Sequence, residues 1–227
     1  MQKQYGKFIT FEGGEGAGKS TLSQKLVERI NQADLGFKAI WTREPGGTEA
    51  AEELREIILS GLGKELGGKG ESLLFYAARM HHVNSLIKPA LARGDWVICD
   101  RFFDSTTAYQ MAATGVDEKW LDALRSLCLD DFMPDLTFII DLPLEIAAER
   151  INQRNQKNEH DAVFMPDRFE GEKPLFHAHV RTAFLEIAHK EPKRCMLLDG
   201  TQSPETLDMI ILTHIKQRLG LDIGMAL

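Results

Sequence analysis

The chain has 227 residues, 43% of them hydrophobic, and a formal charge of −7. That length suits one domain over 1–227 with a substantial core, and no segment approaches the roughly 18 apolar residues that a membrane span needs. An acidic surface repels a nucleic-acid backbone, so any phosphate must be held by a local basic cluster, and small anionic ligands fit better than a polynucleotide.

The first residues, MQKQYGKF, lack an apolar signal core, and Cys99, Cys128 and Cys195 are scattered without metal-ligand spacing, so a reducing cytoplasm is the expected compartment. KFITFE at 7–12 reads as a strand. It runs into GGEGAGKS at 13–20, and TLSQKLVERI follows with Leu22, Leu26, Val27 and Ile30 at helical spacing. Strand, glycine loop and helix in that order fit the phosphate-loop pattern GxxxxGK[ST]. The spacing has a chemical reason: glycines let successive backbone N–H groups face an anion, and the helix N-terminus adds partial positive charge. Lys19 can reach the outer phosphates of ATP, and the Ser20 hydroxyl can ligate Mg²⁺. The ATP-binding set is therefore Gly13, Gly14, Glu15, Gly16, Ala17, Gly18, Lys19, Ser20 and Thr21.

Further strand-like runs fall at 37–42, 95–99, 135–141 and 194–198, with helical stretches at 18–33, 49–60, 70–93, 104–114, 117–129, 143–153, 172–190 and 203–219. The alternation predicts an α/β fold, a five-stranded parallel sheet with helices on both faces. Ligands of such sheets bind beyond the carboxyl ends of the strands, where this chain has Glu12, Thr42, Asp100, Asp141 and Asp199. Asp141 and Asp199 are expected to cap strand ends. After the second strand, TREPGGT puts Arg43 and Glu44 beside the glycine loop. In the 70–93 helix Phe75, Arg79, His82, Val83 and Leu86 share a face, which sets a cation among apolar groups and demands a partner for it. His81 and His82 lack the three- or four-residue spacing that sets two metal ligands on one helix face and are expected to be ordinary helix residues. The third strand ends in Asp100 and Arg101, the one placed to organise Mg²⁺ and the other a fork of donors for phosphate. The polar run at 152–161 and the arginines Arg150, Arg154 and Arg168 suggest a closing lid at about 150–171.

Together FEGGEGAGKST, TREPGGT, FYAAR, the strand ending in DR, STTAYQ and the arginine-bearing lid resemble the thymidylate kinases over about 7–215. The resemblance implies a P-loop NTPase fold of the nucleoside monophosphate kinase type and transfer of the γ-phosphoryl group of ATP to thymidine monophosphate, with Mg²⁺, by a homodimer. It implies that Phe75 stacks on the base and Arg79 hydrogen-bonds to it, that Arg43 and Arg101 hold the acceptor phosphate, and that Pro45 packs near the base. Glu15 is implied near the sugar 3′-hydroxyl and Tyr109 where a ribose 2′-hydroxyl would stand, with Ser105 and Gln110 as further base or sugar contacts. Family members that lack an arginine at the position of Gly16 draw their catalytic cation from the lid, which makes Arg154 the first choice, followed by Arg150, itself also an ATP contact, and Arg168. The catalytic set is thus Lys19, Arg154, Arg101 and Asp100, and the metal ligands are Ser20 and Asp100. A kinase of another nucleoside monophosphate must explain Phe75 and Arg79 differently. A nucleotide-dependent switch is disfavoured by the lack of an Asn-Lys-x-Asp run.

Overall fold

The computed structural model describes residues 5–158 and 168–224. Its elements are β1 (Phe8–Gly13), α1 (Lys19–Gln32), β2 (Ala39–Arg43), α2 (Glu49–Leu59), α3 (Leu62–Glu65), α4 (Gly67–His82), α5 (Lys88–Arg93), β3 (Trp96–Asp100), α6 (Phe103–Thr114), α7 (Glu118–Leu129), β4 (Leu136–Asp141), α8 (Leu144–Asn158), α9 (Pro174–Lys190), β5 (Cys195–Asp199) and α10 (Pro204–Leu219). Among the described residues no helix is long and apolar enough to cross a membrane.

The five strands form one sheet in the order β2-β3-β1-β4-β5, every neighbouring pair parallel. β1 and β3 are buried along their whole length, as central strands covered on both faces must be, whereas the edge strands β2 and β5 keep partly exposed positions. Alternate residues serve opposite faces. Ile9, Phe11, Ile98 and Phe138 meet Leu22, Leu26 and Ile30 of α1 and Ile211 and Ile215 of α10. On the other face Phe8, Val97 and Cys99 meet Tyr76, Phe102 and Leu124, while Ile139 packs with Tyr109, Val180 and Phe184. Register aligns Asp100 with both Phe11 and Arg43, so the carboxyl ends of β1, β2 and β3 lie at one edge.

The strands match the expected runs with ends shifted by a residue or two, but three helical features differ. The 70–93 helix begins at Gly67 and is interrupted by a π-helical turn over Val83–Ile87. Pro89, near the start of α5, has no N–H for Ser85 and crowds its carbonyl, and the widened turn accommodates both. The four-residue α3 was not expected. The third difference bears on function: α8 continues to Asn158 instead of ending near 153, so Arg154 stands on a helix and not on a loop. Of the expected lid at 150–171, residues 159–167 lie outside the described residues.

Candidate active site

A cavity of about 590 Å³ opens at the carboxyl edge of the sheet. Its floor is the phosphate loop. α1 starts after Gly18 with no side-chain cap and no acidic residue in its first turn, so its first N–H groups remain available to an anion. Lys19 is buried and donates to the Gly14 carbonyl at 2.7 Å. Burial and the nearby Arg101 charge push its pKa down. Ser20 donates to Asp100 Oδ2, and the other oxygen, Asp100 Oδ1, is buried with no hydrogen-bond partner among the described residues. A hydroxyl beside a half-used carboxylate suits a cation that takes few protein ligands. Mg²⁺, which takes one or two protein oxygens and completes its shell with phosphate and water, is a cation of that kind.

Next to Asp100, Arg101 adopts a left-handed backbone, φ 70°, which a non-glycine residue holds only where its surroundings enforce it. Its side chain donates to the Gly13 carbonyl at 3.0 Å, Ser105 Oγ at 3.1 Å, Glu15 Oε1 at 2.5 Å and Tyr109 Oη at 3.1 Å. Burial alone would raise the pKa of Glu15, but Arg101 and Lys19 outweigh it and bring it down to about 2. Tyr109 donates to the same Glu15 oxygen at 2.8 Å and is wedged edge-on against Phe169. Ser105 lines the cavity, yet its hydroxyl donates to Glu12 Oε2 at 2.5 Å, so it links Arg101 to the buried end of β1.

At the other end, Phe75 and Arg79 stand one turn apart on α4 and both line the cavity. The partner that Arg79 requires is Glu44: Arg79 Nε donates to its Oε2 at 2.6 Å. The second guanidinium arm donates to the Phe102 carbonyl and to Thr106 Oγ1, which leaves Nη1 buried with no partner. Although burial opposes the charge, Glu44 raises the Arg79 pKa above the ordinary arginine value. Glu44 Oε1 also pairs with His82 Nδ1 at 2.9 Å, and His82 Nε2 with Thr42 Oγ1 at 2.7 Å, so His82 is a buried structural link. Gly47 makes the turn around this network possible. With φ +84°, a Cβ there would lie 2.4 Å from Thr42 Oγ1 and 2.6 Å from His82 Nε2. One turn after Thr106 on α6, Gln110 donates from Nε2 to Glu71 Oε2 at 3.0 Å, and its Oε1 is buried without a partner. The cavity is thus lined at one end by an aromatic ring, an uncommitted donor and an uncommitted acceptor. Arg43 pairs with Glu52 at 3.2 Å on the rim, and Pro45 is held through its carbonyl by Arg55 Nη1 at 2.7 Å.

α8 forms the roof. Gly16 has φ +72°, and a Cβ there would stand 2.8 Å from the Ala147 carbonyl and 3.2 Å from Ile151 Cγ1 of α8, so the helix comes down on a position that admits no side chain. Arg150, Ile151 and Arg154 lie on that face of α8 and line the cavity. Arg150 donates to the Gly200 carbonyl at 3.1 Å, and Arg154 is ion-paired with Glu170. Arg168 opens a short 3₁₀ turn, Arg168–Gly171, at the far end of the lid. Among the ATP-binding set, Glu15, Gly16, Gly18, Lys19, Ser20 and Thr21 line the cavity, while Gly13 and Gly14 contribute carbonyls beside it and Ala17 is buried in the core. Asp141 and Asp199 do not line it: Asp199 caps its strand end by accepting from the Thr201 N–H, whereas Asp141 is ion-paired with Arg181 and caps no backbone group through its side chain.

Sequence reasoning missed Arg55, Thr106, Phe169 and Glu170, all of which line the cavity. Arg55 and Glu170 look like surface charges in the sequence; only the packing of α2 and of the 3₁₀ turn brings them inward.

The family model described as thymidylate kinase matches residues 11–211. A thymidylate kinase of Bradyrhizobium sp. (strain ORS 278) is 46% identical over 214 residues, covering 94% of this chain and 91% of that one. A thymidylate kinase of Rhodopseudomonas palustris (strain ATCC BAA-98 / CGA009) is 47% identical over 215 residues, covering 94% and 90%. The crystal structure of thymidylate kinase from Ehrlichia chaffeensis superposes with a TM-score of 0.71 at 33% identity, covering 93% of this chain and 99% of that one.

Proposed function

The chain belongs to the thymidylate kinase family, and from that premise we propose which of its residues carry the reaction. It transfers the γ-phosphoryl group of ATP to thymidine 5′-monophosphate, giving dTDP and ADP in the synthesis of dTTP. The ATP phosphates lie on the uncapped start of α1 with Lys19 across them, and Ser20 and Asp100 hold Mg²⁺. Mg²⁺ held by these two side chains would supply neutralisation of the phosphate charge. Phe75 stacks on thymine, Arg79 Nη1 and Gln110 Oε1 read its edge, and Pro45 packs beside it. Arg43 and Arg101 align the acceptor phosphate; Arg101 must first loosen its hold on Glu15, which then turns to the sugar 3′-hydroxyl. Tyr109, packed edge-on against Phe169, sets its bulk where a ribose 2′-hydroxyl would stand.

An acceptor phosphate oxygen attacks the γ-phosphorus in line with the leaving ADP, and no covalent intermediate on the protein is needed. Arg154, carried down with α8, stabilises the charge spread over the transferring group, with Arg150 holding the nucleotide side and Arg168 at the lid's far end. Closure over about 150–171 excludes water, so hydrolysis does not compete. All of this sits in one domain over 1–227. A cytoplasmic homodimer is the assembly we propose; the dimer is supported by the exposed apolar side chains of Leu73 and Met80 on α4 and of Leu66 just before it.

The observation that carries the reading is the meeting, in one cavity, of an uncapped phosphate loop with an aromatic ring, a buried free donor and a buried free acceptor. ADP release measured across the common nucleoside monophosphates tests it. Steep release is expected with dTMP and little with cytidine or purine monophosphates; equal release with all acceptors, or none with dTMP, would defeat it.

A further inference from the structure

Resting on the reading above, we propose that Glu71 is a positioning residue that fixes which end of the Gln110 amide faces the cavity. In doing so it sets the choice of a 4-keto over a 4-amino pyrimidine. Glu71 lies on α4 one turn before Phe75 and is 2% exposed, and Gln110 on α6 is wholly buried. The two helices pack against each other.

The amide of a glutamine presents a donor at one end and an acceptor at the other, and rotation by half a turn exchanges them with almost no change in shape. A carboxylate offers acceptors only. With Glu71 Oε2 at 3.0 Å, the amide must turn its Nε2 toward Glu71, since the opposite orientation would press two acceptors together in a buried site. Gln110 Oε1 is thereby turned away from Glu71 and stays buried in the cavity lining with no protein partner, as Arg79 Nη1 does. Glu44 plays the matching part for Arg79 by occupying Nε, so the donor's direction is fixed as well.

A donor next to an acceptor complements a keto oxygen next to an imide N–H, the 4-keto, N3–H edge of thymine. The 4-amino, N3 edge of cytosine would set donor against donor and acceptor against acceptor. Without Glu71 the amide can turn over, and one of those two mismatches disappears. The discrimination therefore depends on a residue whose hydrogen bond runs to Gln110 and away from the base.

The experiment uses the full chain and measures kcat and KM with dTMP, dCMP and ATP. The parent's dTMP-dependent ADP release is measured first; its absence would defeat the functional reading itself and this inference with it. In Glu71→Gln, whose side chain can receive either end of the Gln110 amide, KM for dTMP is expected to rise about tenfold while kcat and KM for ATP stay within about twofold. The ratio of kcat/KM for dTMP to that for dCMP should fall about tenfold. Glu71→Asp, shorter yet still acceptor-only, should keep the ratio although it disturbs packing more. In a Gln110→Ala background, Glu71→Gln should change the ratio no further. An unchanged ratio in Glu71→Gln, or effects of the two sites that simply add, overturns the inference. Should Glu71→Gln fail to fold, Glu71→Asp decides by itself, because loss of its ratio leaves Glu71 a packing residue only.

Discussion

Arg79 has two tasks that pull in different directions, one arm neutralising Glu44 inside the protein and another offering Nη1 to the cavity. Lysine can do the first and not both, because an ammonium lacks the planar fork. Arg79→Lys should therefore raise KM for dTMP by ~10- to 100-fold and leave KM for ATP nearly unchanged, as a lost hydrogen bond to a neutral edge requires. Steady-state kinetics with each substrate varied in turn checks this, and equal rises in both KM values would make Arg79 a structural residue. Glu44→Ala is a different case: it strands a buried guanidinium, so the fold should lose ~3–5 kcal/mol in denaturant titrations. The face that Arg79 shares with Phe75, His82, Val83 and Leu86 at helical spacing made it legible as a buried cation in need of a partner. Its partner was not, because Glu44 in TREPGGT reads equally well as a solvent-facing turn residue until β2 and α4 are brought together.

At the scale of elements, the contact of α8 with the phosphate loop decides where the catalytic cation stands. The Gly16 position admits no Cβ without moving the Ala147 carbonyl, and its φ of +72° disfavours any other residue. Gly16→Ala should displace α8, lower kcat by about tenfold or more through misplacement of Arg154, and cost roughly 1–2 kcal/mol of stability through backbone strain. Arg154→Ala should lower kcat by ~10²-fold or more with little change in nucleotide affinity, since an arginine delivered by closure acts mainly in the transition state. Arg150→Ala and Arg168→Ala belong in the same rate measurements, and near-parental kcat in all three would remove the lid from the chemistry. The length of α8 was hidden in the sequence because residues 152–158 carry no apolar period; Gln, Arg and Lys favour a helix there without burying a face. The π-helical turn was hidden for another reason: a proline signals a break in a helix, but only the packing of Val83 and Ile87 against the sheet keeps the axis running through it.

Across the whole molecule, the strand pattern and the phosphate loop made the sheet and one end of the site legible, since both rest on local spacing. The polar layer beneath the sheet was not legible, because it is assembled from residues far apart in the chain. Thr10 meets Thr137 at 2.7 Å, Arg194 bridges Thr137 and Asp104, and Glu12 accepts from the Phe102 N–H at 2.7 Å and from Ser105. This layer joins β1, β4, α6 and the approach to β5, and it makes stability depend on pH. Burial, with Asp104 adding to it, raises Glu12 from its ordinary value of 4.5 to about 8. For a carboxyl whose folded pKa is the higher one, both states carry the proton below pH 4.5 and the contribution to stability is complete. Between 4.5 and about 8 the folded chain keeps a proton that the unfolded chain has lost, so stability falls as pH rises, and above about 8 the contribution is gone. Glu15, held at about 2, works in the opposite sense and in a separate window: its contribution is present above pH 4.5 and fades as pH drops toward 2. Glu12→Gln removes the titration while keeping a group of the same shape against Phe102 and Ser105. Denaturant midpoints of parent and variant, taken from pH 5 to pH 8, should therefore draw apart steadily in the variant's favour, by at most about 1.4 kcal/mol per pH unit. A difference between the two that stays constant over that range would mean that Glu12 is ionised throughout, and that Arg101 and the α6 N-terminus, not a bound proton, balance its burial.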